Sequence, residues 1–476
     1  MTSLAPHPDR LLPADPAELR IARELYAEVA DAPILSPHGH VDAGLLVADE
    51  AFADPAALLV TPDHYVLRLL HAVGVPLESL GVRPTPGAGA AEPSSGREIW
   101  RTLASHWHTF LGTPVRYWFE TELHDVFGLT EQPSAENADE QYDALAAALA
   151  RPEMRPRALF DRFRIEVLAT TDDPVSDLSA HAALRDDPSF TGRVVPTFRA
   201  DRYFDPSSAG WAEAVARLGE VAGVDTSTHA GLLDALRARR EHFLRHGATA
   251  TDTGVPDAGS EPLDAAAAEA IHVRALRDPA SISPAEAVAY RHTMLFQSAA
   301  MAADDGLVMQ LHPGVLRNHH RPTFERFGPD TGHDLPLVSS TYTEPLRPML
   351  EAFGTQPRFR LVLFTVDETL FSREIAPLAG FYPSVYAGAP WWFIDTPSAI
   401  RRYREAVTDS VGFTKTSGFI DDTRAFCSIP ARHDMSRRVD AGYLASLVAT
   451  HQISEDDALR VARDLVDAIP RATFRL

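Results

Sequence analysis

Cysteine is almost absent from this chain. Cys427 is the only one in 476 residues, so no intramolecular disulfide can form and no cysteine-built metal site can exist. Lysine is as scarce, with Lys415 standing alone among the 44 basic residues. Chemistry that needs a lysine Schiff base, a P-loop lysine or a carboxylated lysine between two metals must use Lys415 or is excluded. The preference for arginine itself most simply reflects a GC-rich genome. Long apolar runs are missing as well: none approaches the ~18 residues of a membrane span. The opening MTSLAPHPDRLLPADP has neither the basic start nor the apolar core of an export signal. These absences predict a soluble, cytoplasmic protein with no membrane partner. Positive charge is also in deficit, and a net charge of -22 opposes nucleic acid and anionic lipid. A small anionic ligand is compatible with that field only if a few arginines reverse it inside a cleft.

What the chain does have is a hydrophobic content of 45%, enough for a large core, in a length that suits a barrel with insertions. Short apolar runs bounded by turn residues alternate with helical patterns, as parallel β/α architectures require. Eight such runs are read: Ile34 to His40, Ile165 to Thr171, Arg193 to Arg199, Ala248 to Thr253, Leu307 to His312, Arg360 to Thr365, Val385 to Trp391 and Thr416 to Asp422. Eight strands close a (β/α)8 TIM-like barrel. The fourth and seventh are the poorest, because Ala, Gly and Pro have low strand propensity. The stretch 41–164 is far longer than one crossover helix needs and carries helical segments such as HYVLRLLHAV and REIWRTLASHWHTFL. It reads as a helical insertion after the first strand. Residues 255–284 read as a surface loop plus helix. ISEDDALRVARDLVDAI reads as a closing amphipathic helix with Ser454 as N-cap and Asp457 at its third position. The predicted division is a helical segment over 1–33, the barrel over 34–438 and a helical segment over 439–476.

The sharpest chemical feature is His38-Gly39-His40 at the end of the first strand. Residues two apart in a strand point to one side, so both imidazoles can face one ion at the barrel mouth. A His-x-His pair by itself is common in ordinary loops. Its position matters more, because barrel active sites lie at the C-terminal strand ends. Arg199, His312, Asp421, Asp422 and Arg424 stand at or just beyond other predicted strand ends. Each alone reads as a cap or a solvated turn; convergence on one mouth reads as a site.

These residues sit in longer motifs. SPHGHVD, PDHYVLRLLHAVGV, ATTDDPVSDL, VVPTFRAD, MQLHPGVLRN with FGPDTGHD, APWWFIDTP and GFIDDTRAFCSIPARHDMSRR together resemble, in order, the motifs of the uronate isomerases of the amidohydrolase superfamily. The resemblance runs from about residue 31 to residue 438. It implies an amidohydrolase-type barrel and an intramolecular oxidoreductase converting D-glucuronate to D-fructuronate and D-galacturonate to D-tagaturonate. Two departures from the pattern mark a divergent member: Thr251-Asp252-Thr253-Gly254 stands where the family usually shows Ser-Asp-His-Gly, so one expected histidine is absent, and the insertion and the sixth-to-seventh strand region match loosely.

The resemblance further implies that His38, His40 and Asp422 hold one divalent metal. His312 is either a further ligand or a substrate contact. Zinc suits two imidazoles and one carboxylate with an open position, and ligand type alone also admits manganese. A second metal is not expected, since no lysine is available on the fourth strand to bridge two ions. Isomerisation needs a base for the C2 proton and groups at the substrate oxygens. Asp422 is the implied base, with Tyr65 and His64 at the oxygens and Arg199 and Arg424 gripping the carboxylate. Trp391 and Trp392 either flank the sugar or pack in the core. The implied partner is a small sugar acid, and homo-oligomerisation is left open. Two other readings stand beside this one, a metal-dependent hydrolase or lactonase on the same barrel and a non-catalytic sugar-acid binder. Arginines and the His64–Tyr65 pair inside the cleft favour isomerisation; their absence favours hydrolysis.

Overall fold

Ile34–Ser36, Ile165–Ala169 and Arg193–Val195 form one parallel ladder in that order. Phe198–Arg199, Ala250–Thr253, Val308–Leu311, Leu361–Leu363 and Val385–Ala387 form a second. This is the computed structural model of the chain, which describes residues 3–89, 94–337 and 341–476. A parallel bridge between Asp172 and Phe198 joins the two ladders, and another between Ala387 and Thr416 adds the eighth run. The amide of His40 donates to the carbonyl of Thr423 at 3.0 Å, which ties the eighth run back to the first. The order round the ring is that of a (β/α)8 barrel with parallel strands and helical crossovers.

All eight predicted strands are shorter than their sequence suggests, and for three the cause is local. The first stops at Ser36, because Pro37 has no N–H for the ladder. The two histidines therefore stand on the loop beyond the strand, not on the strand itself. The third is split at Pro196 and Thr197 for the same reason. The eighth pairs only at Thr416 among the described residues, since Gly418 turns the backbone to φ 74°. The fourth, poor in propensity, does form: Ala250, Thr251, Asp252 and Thr253 are all buried between neighbouring strands, and tertiary packing overrides intrinsic preference there.

The stretch between the first two strands folds as helices, among them His64–Ala72, Gly96–Ser105, Pro114–Thr121 and Ala138–Leu149. Their apolar faces share one core with Ile34, Ile165, Leu168 and Phe426, which anchors the insertion to the barrel wall. Residues 255–284 contain the helix Ala265–Arg277. Ser454 caps the helix Glu455–Val466 by accepting from the amide of Asp457 at 3.1 Å. A further helix, Ala468–Phe474, sends Phe474 and Leu476 against the strand residues Ala250, Val308 and Val362. Helix Pro16–Val29 packs on Ile429–Ala449 and Glu455–Val466 in a separate apolar cluster. The helix Ile429–Ala449 runs through the predicted boundary at 438/439. Among the described residues no helix is long and apolar enough to cross a membrane.

Candidate metal centre and active site

His38 Nε2 and His40 Nε2 converge on Oδ1 of Asp422, at 3.1 and 3.0 Å. Asp422 reaches them from a left-handed backbone conformation, φ 41°, which a non-glycine residue adopts at a cost of about 1–3 kcal/mol and which tends to persist at functional sites. Oδ1 is buried and has no hydrogen-bond partner among the described residues even with two imidazole nitrogens so near. That pattern fits ligands sharing an ion: bonds of about 2.1 Å in a tetrahedron put neighbouring donors about 3.4 Å apart. Burial acts to raise the Asp422 carboxyl, but His38 and His40 outweigh it and hold it well below the usual carboxylate range. Two imidazoles and an ionised carboxylate make a divalent-metal donor set.

A second group, His38, Asp252 and His312, lies alongside. Here the carboxylate is already committed. Asp252 Oδ1 faces His312 Nδ1 at 2.8 Å and Oδ2 faces Arg199 NH1 at 3.1 Å. Burial works against the charge on Asp252, yet Arg199, His38 and His312 together keep it ionised. Asp252 thus orients His312, whose ring lies between Phe364 at 4.1 Å and His38 at 4.8 Å. Nε2 of His312 is buried without a protein partner among the described residues. Arg199 is fixed a second time by Asp201 through Nε at 2.8 Å. Its NH2 packs against Gly254, where any Cβ would come within 2.9 Å, so the glycine after Thr253 makes room for the guanidinium. Thr253, at the place of the expected histidine, is buried and accepts from the His312 amide through its own carbonyl.

Asp63 starts the helix that brings in the next pair. Its carboxylate accepts from the amide of Tyr65 at 2.8 Å, an N-cap interaction worth about 1 kcal/mol, so His64 and Tyr65 fall in the first turn at the mouth. Their rings stack at 4.9 Å. Burial pushes the His64 imidazole down to about 4, which leaves it neutral at pH 7. Burial, reinforced by Asp395, raises the Tyr65 phenol well above its ordinary value. Tyr65 donates to Asp395 Oδ2 at 2.8 Å, and Arg432 NH1 donates to the same oxygen at 3.2 Å.

Trp391 and Trp392 follow the seventh strand and divide their duties. The indole N–H of Trp391 donates to Oδ2 of Asp422 in a short hydrogen bond, so this tryptophan touches the candidate ligand and does more than fill the core. Trp392 carries Arg317 at 4.7 Å from its ring centre. Arg317 belongs to a segment closed by the antiparallel pairing of Val315–Leu316 with Leu335–Pro336, and its NH1 meets Asp334 at 3.1 Å. Among the described residues Arg424 has only a long pairing, 3.7 Å to Asp330.

One cavity of about 490 Å³ collects ten of the eleven candidate residues named from the sequence: His38, His40, His64, Tyr65, Arg199, His312, Trp391, Trp392, Asp422 and Arg424; Asp421 does not line it, and its Oδ2 meets His433 Nε2 at 3.0 Å instead. Asp63, Asp252, Arg317 and Arg432 also line it and were not singled out from sequence. A signal existed for each, since Asp63 lies inside PDHYVLRLLHAVGV, Asp252 inside TDTG, Arg317 inside HPGVLRN and Arg432 inside GFIDDTRAFCSIPARHDMSRR. The cavity holds four arginines and the His64–Tyr65 pair, the features that favour isomerisation over hydrolysis.

The family model for glucuronate isomerase matches residues 17–472. A uronate isomerase of Corynebacterium efficiens is 52% identical over 476 residues, which covers all of both chains. Among solved structures, a glucuronate isomerase of Caulobacter crescentus superposes with a TM-score of 0.96 at 43% identity, over 100% of this chain and 98% of that one. A uronate isomerase of Thermotoga maritima does so with a TM-score of 0.91 at 31% identity, over 98% and 99%.

Proposed function

The chain belongs to the glucuronate isomerase family and interconverts the aldose and ketose forms of a hexuronate, and on that premise we propose how the barrel-mouth cavity performs the reaction. The observation that carries the reading is the convergence of His38, His40 and Asp422 beside the Tyr65 hydroxyl and the arginines of the same cavity.

In the proposed mechanism Arg424 and Arg199 hold the substrate carboxylate. Arg424 brings the freer guanidinium and Arg199 a rigid one, since Asp201 and Asp252 already fix its Nε and NH1. His38, His40 and Asp422 would hold a divalent ion, with zinc the best match to these donors, and that ion would supply Lewis-acid polarisation of a substrate oxygen. Asp422 takes the C2 proton through Oδ2, the oxygen steadied by Trp391, and returns it to C1 through a cis-enediolate. Tyr65 and neutral His64 serve the protons on the substrate oxygens, and His312, oriented by Asp252, contacts the substrate or completes the ligand set. Trp392 and Arg317 flank the sugar. We place the reaction in the cytoplasm, with neither nucleic acid nor membrane as partner, on the single cysteine and the charge of -22.

The test is turnover of D-glucuronate and D-galacturonate by metal-loaded protein, followed by loss of the aldehyde and gain of the 2-ketose, beside a panel of lactones and esters. Ketose formation from at least one hexuronate supports the assignment. Hydrolysis of a lactone with no isomerisation of either uronate would replace it with the hydrolase reading.

A further inference from the structure

Isomerisation moves two kinds of proton. One leaves C2 and arrives at C1; the other must leave the O2 hydroxyl and arrive at O1. Asp422 accounts for the first. A phenol serving the second meets a simple constraint, because neutral tyrosine cannot accept a proton on its oxygen and keep its own. Something behind it must take the phenolic proton.

Asp395 stands at that place. Tyr65 Oη donates to Asp395 Oδ2 at 2.8 Å, so the phenolic proton is turned toward Asp395 and the oxygen lone pairs are left for the cavity that Tyr65 lines. Arg432 NH1 donates to the same carboxylate oxygen at 3.2 Å, and Arg432 Nε is anchored on Ser428 Oγ at 3.1 Å. The guanidinium lies 3.6 Å from the ring centre of Trp118, a residue of the insertion helix Pro114–Thr121, and that indole meets the Tyr65 ring edge-on at 5.5 Å. Asp395 Oδ1 is buried with no hydrogen-bond partner among the described residues. Burial raises the Asp395 carboxyl above its ordinary range even with Arg432 beside it, which makes it able to hold a proton briefly. The loop delivering Asp395 passes through Trp392 and Phe393 at φ 36° and 31°, a conformation such side chains resist and that a surrounding structure must enforce.

We propose that Asp395, held by Arg432, is the proton reservoir behind Tyr65, the two forming a relay for the hydroxyl proton of the sugar. The proposal rests on the role given to Tyr65 above. In the forward direction the O2–H bond breaks and its proton passes to Tyr65 Oη while the phenolic proton passes to Asp395 Oδ2. The return sequence carries one proton from Asp395 to Tyr65 and one from Tyr65 to O1, so no proton is gained or lost. Asp395 does not line the cavity; it acts through Tyr65.

The experiment is a double-mutant cycle on kcat and KM with Tyr65→Phe, Asp395→Asn and the double variant, at matched metal content. Each single change should lower kcat by roughly 100-fold, the lower end of general acid–base contributions, with KM within about threefold. The double variant should be no more than about twofold slower than the slower single, because removing either member of a relay removes the relay. Single effects that multiply, to roughly 10⁴-fold, show a merely structural Asp395 and overturn the proposal. A Tyr65→Phe enzyme within about twofold of wild type sinks the role of Tyr65 itself, whereas a slow Tyr65→Phe beside a fast Asp395→Asn sinks only the relay. If Asp395→Asn does not fold, because Arg432 is left buried without its carboxylate, the whole cycle is run in an Arg432→Gln background under the same criterion.

Discussion

Trp391 donates its indole proton to Oδ2 of Asp422 while His38 and His40 approach Oδ1 of the same carboxylate, so the two oxygens of one side chain are given separate work. In the proposed mechanism this carboxylate both binds an ion and removes a proton, and the indole would fix which oxygen is left for the substrate. Trp391→Phe keeps the ring and loses the donor. A hydrogen bond to a charged group contributes about 1.5–3 kcal/mol, so kcat should fall by roughly 10- to 100-fold. Metal content should stay near wild type, because the Oδ1 ligand set is untouched. Kinetics and elemental analysis on one sample check this; loss of the metal instead would show that Trp391 supports the ligand and not the base.

Metal stoichiometry follows from the two neighbouring donor groups. Asp252 is committed to His312 and Arg199, which leaves one complete ligand set, and elemental analysis should find one divalent ion per chain. Chelation should abolish turnover while the far-ultraviolet dichroism is retained, since a core of this size does not depend on one ion for folding. Two tightly bound ions per chain would mean that Asp252 or His312 changes partner on loading.

The arginines can be ranked by how they are held. Arg199→Lys keeps the charge but loses the planar fork that spans Asp201 and Asp252, so it should lower kcat/KM for uronates by at least about tenfold and disturb His312 as well. Arg424→Lys has no buried acid to abandon and should act chiefly through KM. Paired kcat and KM values for both variants check the ranking; an Arg199→Lys enzyme with unchanged uronate kinetics would remove Arg199 from the site.

Much of the site was legible because its motifs are local. His38-Gly39-His40 declares itself within three residues, and the barrel order placed Asp422 and Arg424 on the neighbouring run. Strand alternation does not govern this pair, since Pro37 ends the strand before either histidine; they converge through a loop and a strained Asp422. What stayed hidden is the layer beneath. Asp252 and His312 are 60 positions apart, and Tyr65 and Asp395 are 330 apart. A lone aspartate in a Thr-rich strand, or an arginine in a helix, has no local pattern that reports such a distant partner. Packing between the insertion and the barrel decides them.

Acid stability should report buried neutral histidines. His229 is buried at the start of helix His229–Arg245, with the Tyr290 ring 5.3 Å away, and burial pushes its imidazole down to about 4. The unfolded chain takes up a proton near pH 6.5 that the folded chain refuses until about 4. The contribution of His229 to stability is therefore complete above pH 6.5 and is lost as the pH falls between those values. Between pH 7 and pH 5, His229→Gln should lose less stability than wild type, by up to about 2 kcal/mol at 1.36 kcal/mol per unit. Urea unfolding of both proteins at the two pH values measures the difference. Equal losses would show that the His229 pocket admits the charged form.

The last prediction concerns the hydrogen that moves from C2 to C1. If Asp422 removes it as a proton, the base exchanges with solvent in some fraction of turnovers, and ketose made in deuterated water should carry deuterium at C1. Asp422→Asn keeps the size of the side chain but cannot act as a base at neutral pH, so kcat should fall by roughly 100-fold or more on the usual scale of general-base catalysis. Because Oδ1 of Asp422 is also a metal ligand in the proposed site, loss of the ion would imitate that fall, and metal must be measured on the same preparation. A product free of deuterium leaves two explanations, a proton transfer fully shielded from water and a hydride shift between the carbons. Those part company in the metal-loaded Asp422→Asn enzyme. A hydride shift needs no base and would survive the substitution at a near-normal rate, whereas a shielded proton transfer would not.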